Sequence, residues 1–210
     1  MARTCGTGEQ AEYRISIRPV PRQPRVTTRA GDDGRTSLFG KERVPKYDPR
    51  IALLGDLDEA QSALGLARAG AKRAVASELL ALQRALYEVM AEVGTSPERE
   101  PAARIDTARV AALEERTAAL KAKATIPPRF IVPGDDAPAA AIDLGRTIVR
   151  RAERTTARLL DDGVLSNRDL LRYLNRLSDT LFVLARVQEG ARKTLAKPDP
   201  RRRSASRGRP

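Results

Sequence analysis

Two stretches far apart in the chain carry side chains suited to holding phosphate. The first runs Thr28-Arg29-Ala30-Gly31-Asp32-Asp33-Gly34-Arg35-Thr36-Ser37-Leu38. Its glycines permit close backbone approach, and Thr36, Ser37 and free N–H groups can cradle anions. It is not a Walker A loop, because it lacks the GK[ST] ending and the strand-to-helix setting. Taken alone, such a Gly/Asp/Ser stretch is equally an ordinary turn. The second stretch is Arg146-Thr147-Ile148-Val149-Arg150-Arg151-Ala152-Glu153-Arg154. Arg146, Arg150 and Arg154 recur every four residues and line one face of a helix, with Arg151 beside them. Guanidiniums on one stripe repel each other unless anions intervene, and the planar fork of arginine suits phosphate oxygens. The bland alternative is a solvated face with local ion pairs. Together the two stretches point to a bound polyphosphate, ATP first among them.

Further polar groups sit where a helix would turn them toward a neighbour. Asn175, Asp179, Phe182 and Arg186 follow one another at steps of four, three and four, next to a leucine stripe. They face either a cleft or an inter-helix hydrogen-bond network. Asp56, Asp58 and Glu59 lie in the first helical segment. Asp58 is placed either to pair with an arginine of the fourth helix or to be a plain surface acid. The chain has no histidine, so imidazole bases, imidazole metal ligands and Ser-His-Asp triads are excluded. Its single cysteine, Cys5, excludes an internal disulfide.

The elements that must position these groups are helical. Segments are expected over about 50–69, 72–93, 105–123, 138–162 and 167–189. The second carries the stripe Val75, Leu79, Leu82, Leu86, Val89, Val93, and the third Val110, Leu113, Thr117, Leu120. The fourth starts near Pro138, which a first turn tolerates, and closes at Gly163. Its expected core stripe is Leu144, Ile148, Ala152, Thr155, Leu159. Ser166 and Asp169 form a variant capping box for the fifth, whose stripe is Leu170, Leu174, Leu177, Leu181, Leu184. Residues 26–50 lack helical periodicity and read as an ordered loop. No strand of comparable length competes, so the fold class is all-α, a bundle of four to five helices.

Composition supports a helical core. Hydrophobic residues make up 41% of 210, but aromatics only 3%, so Leu and Ala must fill the interior. The net charge is +12, of which residues 1–25 hold +3 and residues 197–210 hold +5. The body therefore carries little excess charge, which counts against a nucleic-acid-binding protein. Residues 1–25 and 193–210 read as disordered basic tails around one domain, 26–192. No apolar run approaches the ~20 residues of a membrane span, and the chain reads as cytoplasmic.

In combination the blocks are more specific. Thr28 to Leu38, with Gly40 following, resembles the T-[KR]-x-G-D-x-G-x-T-x-L block of the PduO-type ATP:cob(I)alamin adenosyltransferases. Lys46-Tyr47-Asp48-Pro49-Arg50 is similar to K-x-D-x-R, and Gly55 to Ser62 to G-x-x-D-E-L-N-S. Phe130-Ile131-Val132-Pro133-Gly134 resembles F-[IV]-x-P-G-G. Arg146 to Arg154 match R-T-x-x-R-R-A-E-R, and Asn175 to Phe182 match N-R-L-S-D-x-L-F. The blocks stand in family order across residues 26–190.

The resemblance implies a five-helix bundle, ferritin-like in outline, acting as a homotrimer with ATP between subunits. It implies transfer of the 5′-deoxyadenosyl group of ATP to cob(I)alamin, with Mg²⁺ accompanying the nucleotide. Thr28, Arg29, Gly31, Asp32, Gly34, Thr36, Ser37 and Lys46 would hold the nucleotide, with Arg146, Arg150, Glu153 and Asn175. Asp58 would brace Arg146 by a salt bridge. Phe130 would press on the lower face of the corrin and exclude water and the lower axial base; Asp179 and Phe182 would border it. A flavin reductase and an adenosylcobalamin-dependent enzyme would be its partners.

The chain departs from the pattern at Asp143, where the family has His, at Asp135 for the second Gly of P-G-G, and at Ala60-Gln61 for Leu-Asn. Asp143 is expected to put an acid near the cleft, unfavourable to an anionic nucleotide. A catalytically weak ATP- or cobalamin-binding relative is the alternative function.

Overall fold

The computed structural model describes residues 26–40, 43–191 and 193–197. The basic arm expected over 1–25, Cys5 included, and residues 198–210 of the basic tail lie outside the described residues. Five helices dominate: α1 (Pro49–Gly70), α2 (Arg73–Val93), α3 (Thr107–Lys121), α4 (Ala137–Asp161) and α5 (Arg168–Glu189). Four short strands accompany them: β1 (Arg35–Ser37), β2 (Arg43–Pro45), β3 (Ile131–Val132) and β4 (Thr194–Leu195). Among the described residues no helix is long and apolar enough to cross a membrane.

Each helix starts where the local chemistry allows. Asp48 caps α1 by accepting from the Arg50 N–H, with Pro49 in the first turn. Asp136 caps α4 by accepting from the Ala139 N–H at 2.9 Å. The cap of α5 is Asn167, whose side chain accepts from the Asp169 N–H, and not the expected Ser166–Asp169 box. An amide one residue later reaches the same orphan donors, so the sequence pattern misplaced the start by one. α4 closes at Gly163, φ +71°, as expected.

α1 and α2 form an antiparallel hairpin, and α4 lies antiparallel to both α1 and α5. α3 lies beside α5, tied to it by Thr117–Thr180 and Arg176–Glu114. The expected stripes of α2 and α5 are buried throughout. The expected stripe of α4 holds at Ile148, Ala152 and Leu159, which are buried, but not at Leu144, which is 52% exposed, or at Thr155, which is half-buried. The buried face also takes in Ala139, Ile142, Asp143, Gly145, Val149 and Thr156. The inward face was set by the close approach to α1, where a Cβ on Gly145 would sit 2.8 Å from Leu64 Cδ2. The approach turns Leu144 out and carries its polar neighbour Asp143 inside.

The tail boundary also shifts. Thr194–Leu195, expected in a disordered tail beginning at 193, pairs antiparallel with Ile131–Val132. The Asp135 carboxylate accepts from the Thr194 N–H at 2.5 Å and from its hydroxyl at 2.9 Å, and the Ala196 N–H donates to the Phe130 carbonyl. These bonds offset the entropy of ordering the segment.

Candidate functional site

The Gly-rich stretch is a tight hairpin and not a featureless loop. β1 and β2 pair antiparallel, with Thr36 opposite Val44. Gly34 has φ +79°, a conformation that favours glycine. A Cβ on Gly31 would lie 3.2 Å from the Lys46 Nζ, so the lysine ammonium rests against the glycine backbone. Arg43 ties the turn together by donating to the Ala30 carbonyl and to Asp33. The Arg35 N–H and the Arg43 guanidinium hold the Asp33 carboxyl below its ordinary pKa. Thr28, Arg29, Asp32, Ser37 and Lys46 are exposed and Thr36 is half-buried.

The helical half has two parts. In the first, Glu153 is shared by two helices. It accepts from the Asn175 amide at 2.7 Å and stands 4.0 Å from the exposed guanidinium of Arg150. Arg150, Glu153 and Asn175 therefore come together as expected. In the second part, a cleft of about 510 Å³ is lined by Pro128, Arg129, Phe130, Ile131, Pro133, Asp143, Arg146, Phe182 and Arg186. Phe130, at the edge of the cleft, is 88% exposed. Phe182 forms the inner wall with the Arg186 guanidinium 5.0 Å from its ring centre. The sequence placed Phe130, Phe182 and Arg146 in one site, and they share this cleft.

The floor of the cleft is charged. Asp143, 3% exposed, accepts from Arg146 Nε at 2.9 Å through Oδ1 and from Arg186 Nη2 at 2.5 Å through Oδ2. Arg186 Nη2 also donates to Glu189 Oε1 at 2.8 Å. Burial pushes the Glu189 carboxyl up against the opposing pull of Arg186. Asp143 is thus no free acid repelling an anion, as expected from the sequence, because two guanidiniums match it. Removing one member of such a buried pair costs roughly 3–5 kcal/mol.

Two expectations change. Asp58 is exposed and makes no ion pair among the described residues. It follows inward-facing Leu57 and turns away from α4. The carboxylates of α1 that do reach α4 are Asp56 and Glu59, and both accept from Arg151. Within one chain, then, Arg146 is braced by Asp143 and not by Asp58. Asp179 is exposed and lies outside the cleft lining. Glu189 and the double pairing of Asp143 were not foreseen. The available signals were the helical spacings of Asp143 with Arg146 and of Arg186 with Glu189. The β1–β2 hairpin touches neither α4 nor α5 in the single chain, so the two stretches that the sequence singles out stay apart.

A family profile described as cobalamin adenosyltransferase matches residues 26–188. The corrinoid adenosyltransferase PduO of Citrobacter freundii is 38% identical over 169 residues, 78% of this chain and 50% of its own. That of Salmonella typhimurium is 40% identical over 78% of this chain and 49% of its own. This chain spans about half the length of those two curated relatives. A second corrinoid adenosyltransferase of Citrobacter freundii is 36% identical over 79% of this chain and 95% of its own. Among solved structures, a phenylalanine-to-alanine variant of the PduO-type ATP:corrinoid adenosyltransferase of Lactobacillus reuteri, complexed with cobalamin and ATP, superposes with a TM-score of 0.75. It is 28% identical and covers 83% of this chain and 100% of that one. With a family profile matching most of its length and relatives 36–40% identical over more than three quarters of it, the chain belongs to the cobalamin adenosyltransferase family.

Proposed function

We propose that this protein transfers the 5′-deoxyadenosyl group of ATP to the cobalt of cob(I)alamin. The cobalt electron pair forms the Co–C5′ bond, the C5′–O bond breaks, and its electrons leave on tripolyphosphate. The observation that carries this reading is the cleft in which Phe130 and Phe182 face Arg146, one helical turn from the Arg150–Glu153–Asn175 cluster. An apolar wall beside guanidiniums suits a flat macrocycle next to a polyphosphate.

Cob(I)alamin is itself the nucleophile, so no histidine or serine base is required. What the protein must supply is alignment of C5′ with cobalt and stabilisation of charge growing on the leaving triphosphate. Arg146 and Arg150 would meet that charge. Glu153 would orient Arg150 and Asn175 around the nucleotide. Thr28, Arg29, Gly31, Asp32, Gly34, Thr36, Ser37 and Lys46 would hold phosphates through N–H groups, hydroxyls and the ammonium. Phe130 and Phe182 would keep water from the corrin, with Asp179 at most a distant border. Mg²⁺ bound with the nucleotide would neutralise part of the charge on the triphosphate.

The separation of the hairpin from α4 and α5 supports a homotrimer in which one subunit's hairpin completes its neighbour's arginine face. Asp58, exposed and unpaired, would then be available to a neighbouring arginine. A cytoplasmic setting, where ATP is abundant, goes with this reading, as do a flavin reductase upstream and an adenosylcobalamin-dependent enzyme downstream. The pairing of Asp143 weighs against a catalytically weak relative, because its charge is not presented to the nucleotide.

The test is visible absorbance of chemically reduced cob(I)alamin with ATP and Mg²⁺, following adenosylcobalamin as it forms. Arg146→Ala is expected to lower the rate by about 10²–10³, as loss of a positioned charge donor does, while the oligomer stays assembled. Near-normal turnover in that variant would remove Arg146 from the site.

A further inference from the structure

We infer that Asp143 is a positioning residue for Arg146, aiming its guanidinium into the cleft from a rigid anchor on α5. The two carboxylate oxygens are divided between two arginines. Oδ1 accepts from Arg146 Nε, and Oδ2 accepts from Arg186 Nη2. Because Arg146 is engaged through Nε alone, both of its terminal Nη groups have no partner among the described residues. Those Nη groups form the end of the fork that receives a phosphate oxygen. Arg146 is 25% exposed, so its fork is open while its stem is held.

The anchor is stiff. Arg186 is 2% exposed, lies against Phe182, and donates from the same Nη2 to Glu189 as well as to Asp143. Asp143 is one helical turn from Arg146 on α4, so the short link has little torsional freedom. The charges balance across the four groups, since Asp143 and Glu189 stand against Arg146 and Arg186. A histidine, which the family pattern has at this position, offers one acceptor when neutral and none when protonated. It cannot accept from both arginines at once, so this chain holds Arg146 in a way that its own carboxylate makes possible.

Resting on the role proposed above for Arg146, the assignment is tested by a double-mutant cycle in the adenosylation assay. Asp143→Asn is expected to lower kcat about tenfold, with KM for cob(I)alamin within about twofold of the parent. In an Arg146→Ala background the same change is expected to cost less than about twofold more, since the group it positions is gone. A merely structural role would instead multiply the two losses, and that result overturns the inference, as does an unchanged kcat in Asp143→Asn. If Arg146→Ala itself turns over normally, the site reading fails and takes the inference with it. If only Asp143→Asn is silent, the site reading stands. Should Asn leave the bundle unfolded, Asp143→Glu keeps Arg186 paired and displaces the carboxylate by one methylene. It makes the same test, with a smaller loss of kcat and the same non-additivity.

Discussion

Arg186 is the largest of the fully buried side chains, and a guanidinium there needs anions around it. Asp143 and Glu189 meet that need from α4 and from the next turn of α5. The arrangement has a pH signature. The native Glu189 carboxyl titrates above its ordinary 4.5, so the folded state holds a proton that the unfolded chain releases. With fewer protons bound in the unfolded state, stability falls as pH rises from 4.5 toward the native pKa. Urea unfolding at a series of pH values should therefore show the wild-type advantage over Glu189→Gln shrinking as pH rises through that window. A difference that is flat with pH would mean that Glu189 titrates like a solvated acid. The residue-level signals were partly legible. Phe182 and Arg186 stood out in the sequence as a polar stripe next to leucines. Glu189 did not, because a glutamate near a helix end looks like any surface acid until packing buries it.

At the scale of elements, α4 shows where periodicity alone misplaces the edge of a face, since Ile148, Ala152 and Leu159 are buried as expected and Leu144 is not. Leu144 is apolar and falls at a helical step from Ile148, yet the helix turns it outward. The closest packing, Gly145 on Leu64, decides the rotation. The β3–β4 ribbon is the second case. Two-residue strands carry no period to detect, and their pairing spans most of the bundle in sequence. The ribbon ties the Phe130 loop to the segment after α5, with Asp135 as the clasp. Asp135→Ala should loosen Phe130 and lower kcat/KM for cob(I)alamin by about threefold to tenfold, because a misplaced wall costs alignment rather than chemistry. The KM for ATP should stay within about twofold. A loss confined to ATP would place the clasp on the nucleotide side instead.

At the scale of the whole molecule, one chain does not bring its β1–β2 hairpin to the arginines of α4. If neighbouring subunits supply the two halves, variants defective in different halves should complement each other. Lys46→Ala and Arg146→Ala, each nearly inactive alone, are expected after co-refolding to regain roughly a quarter of wild-type activity by random assortment in a cyclic oligomer. Absence of any regained activity, with mixed oligomers confirmed by native mass spectrometry, would require both halves to act within one chain. The charge distribution agrees with a small-molecule site. The excess positive charge sits largely at the two ends of the sequence, in residues 1–25 and 197–210.

Sequence alone determined the helices, because strong leucine periods and Pro/Gly punctuation specify local structure without reference to distant residues. It also marked Thr28 to Ser37, the arginines of α4 and the Phe130 loop as candidate site segments, through their likeness to the family's motifs. Tertiary structure alone decided which carboxylate meets which arginine. Asp56 and Glu59 took Arg151, Asp143 took Arg146 and Arg186, and Asp58 was left outside. The reason is geometric. An ion pair forms within about 4 Å, and a helix rotation of one residue, about 100°, moves a side chain farther than that. The pairing therefore depends on how α1, α4 and α5 pack, which no single segment encodes.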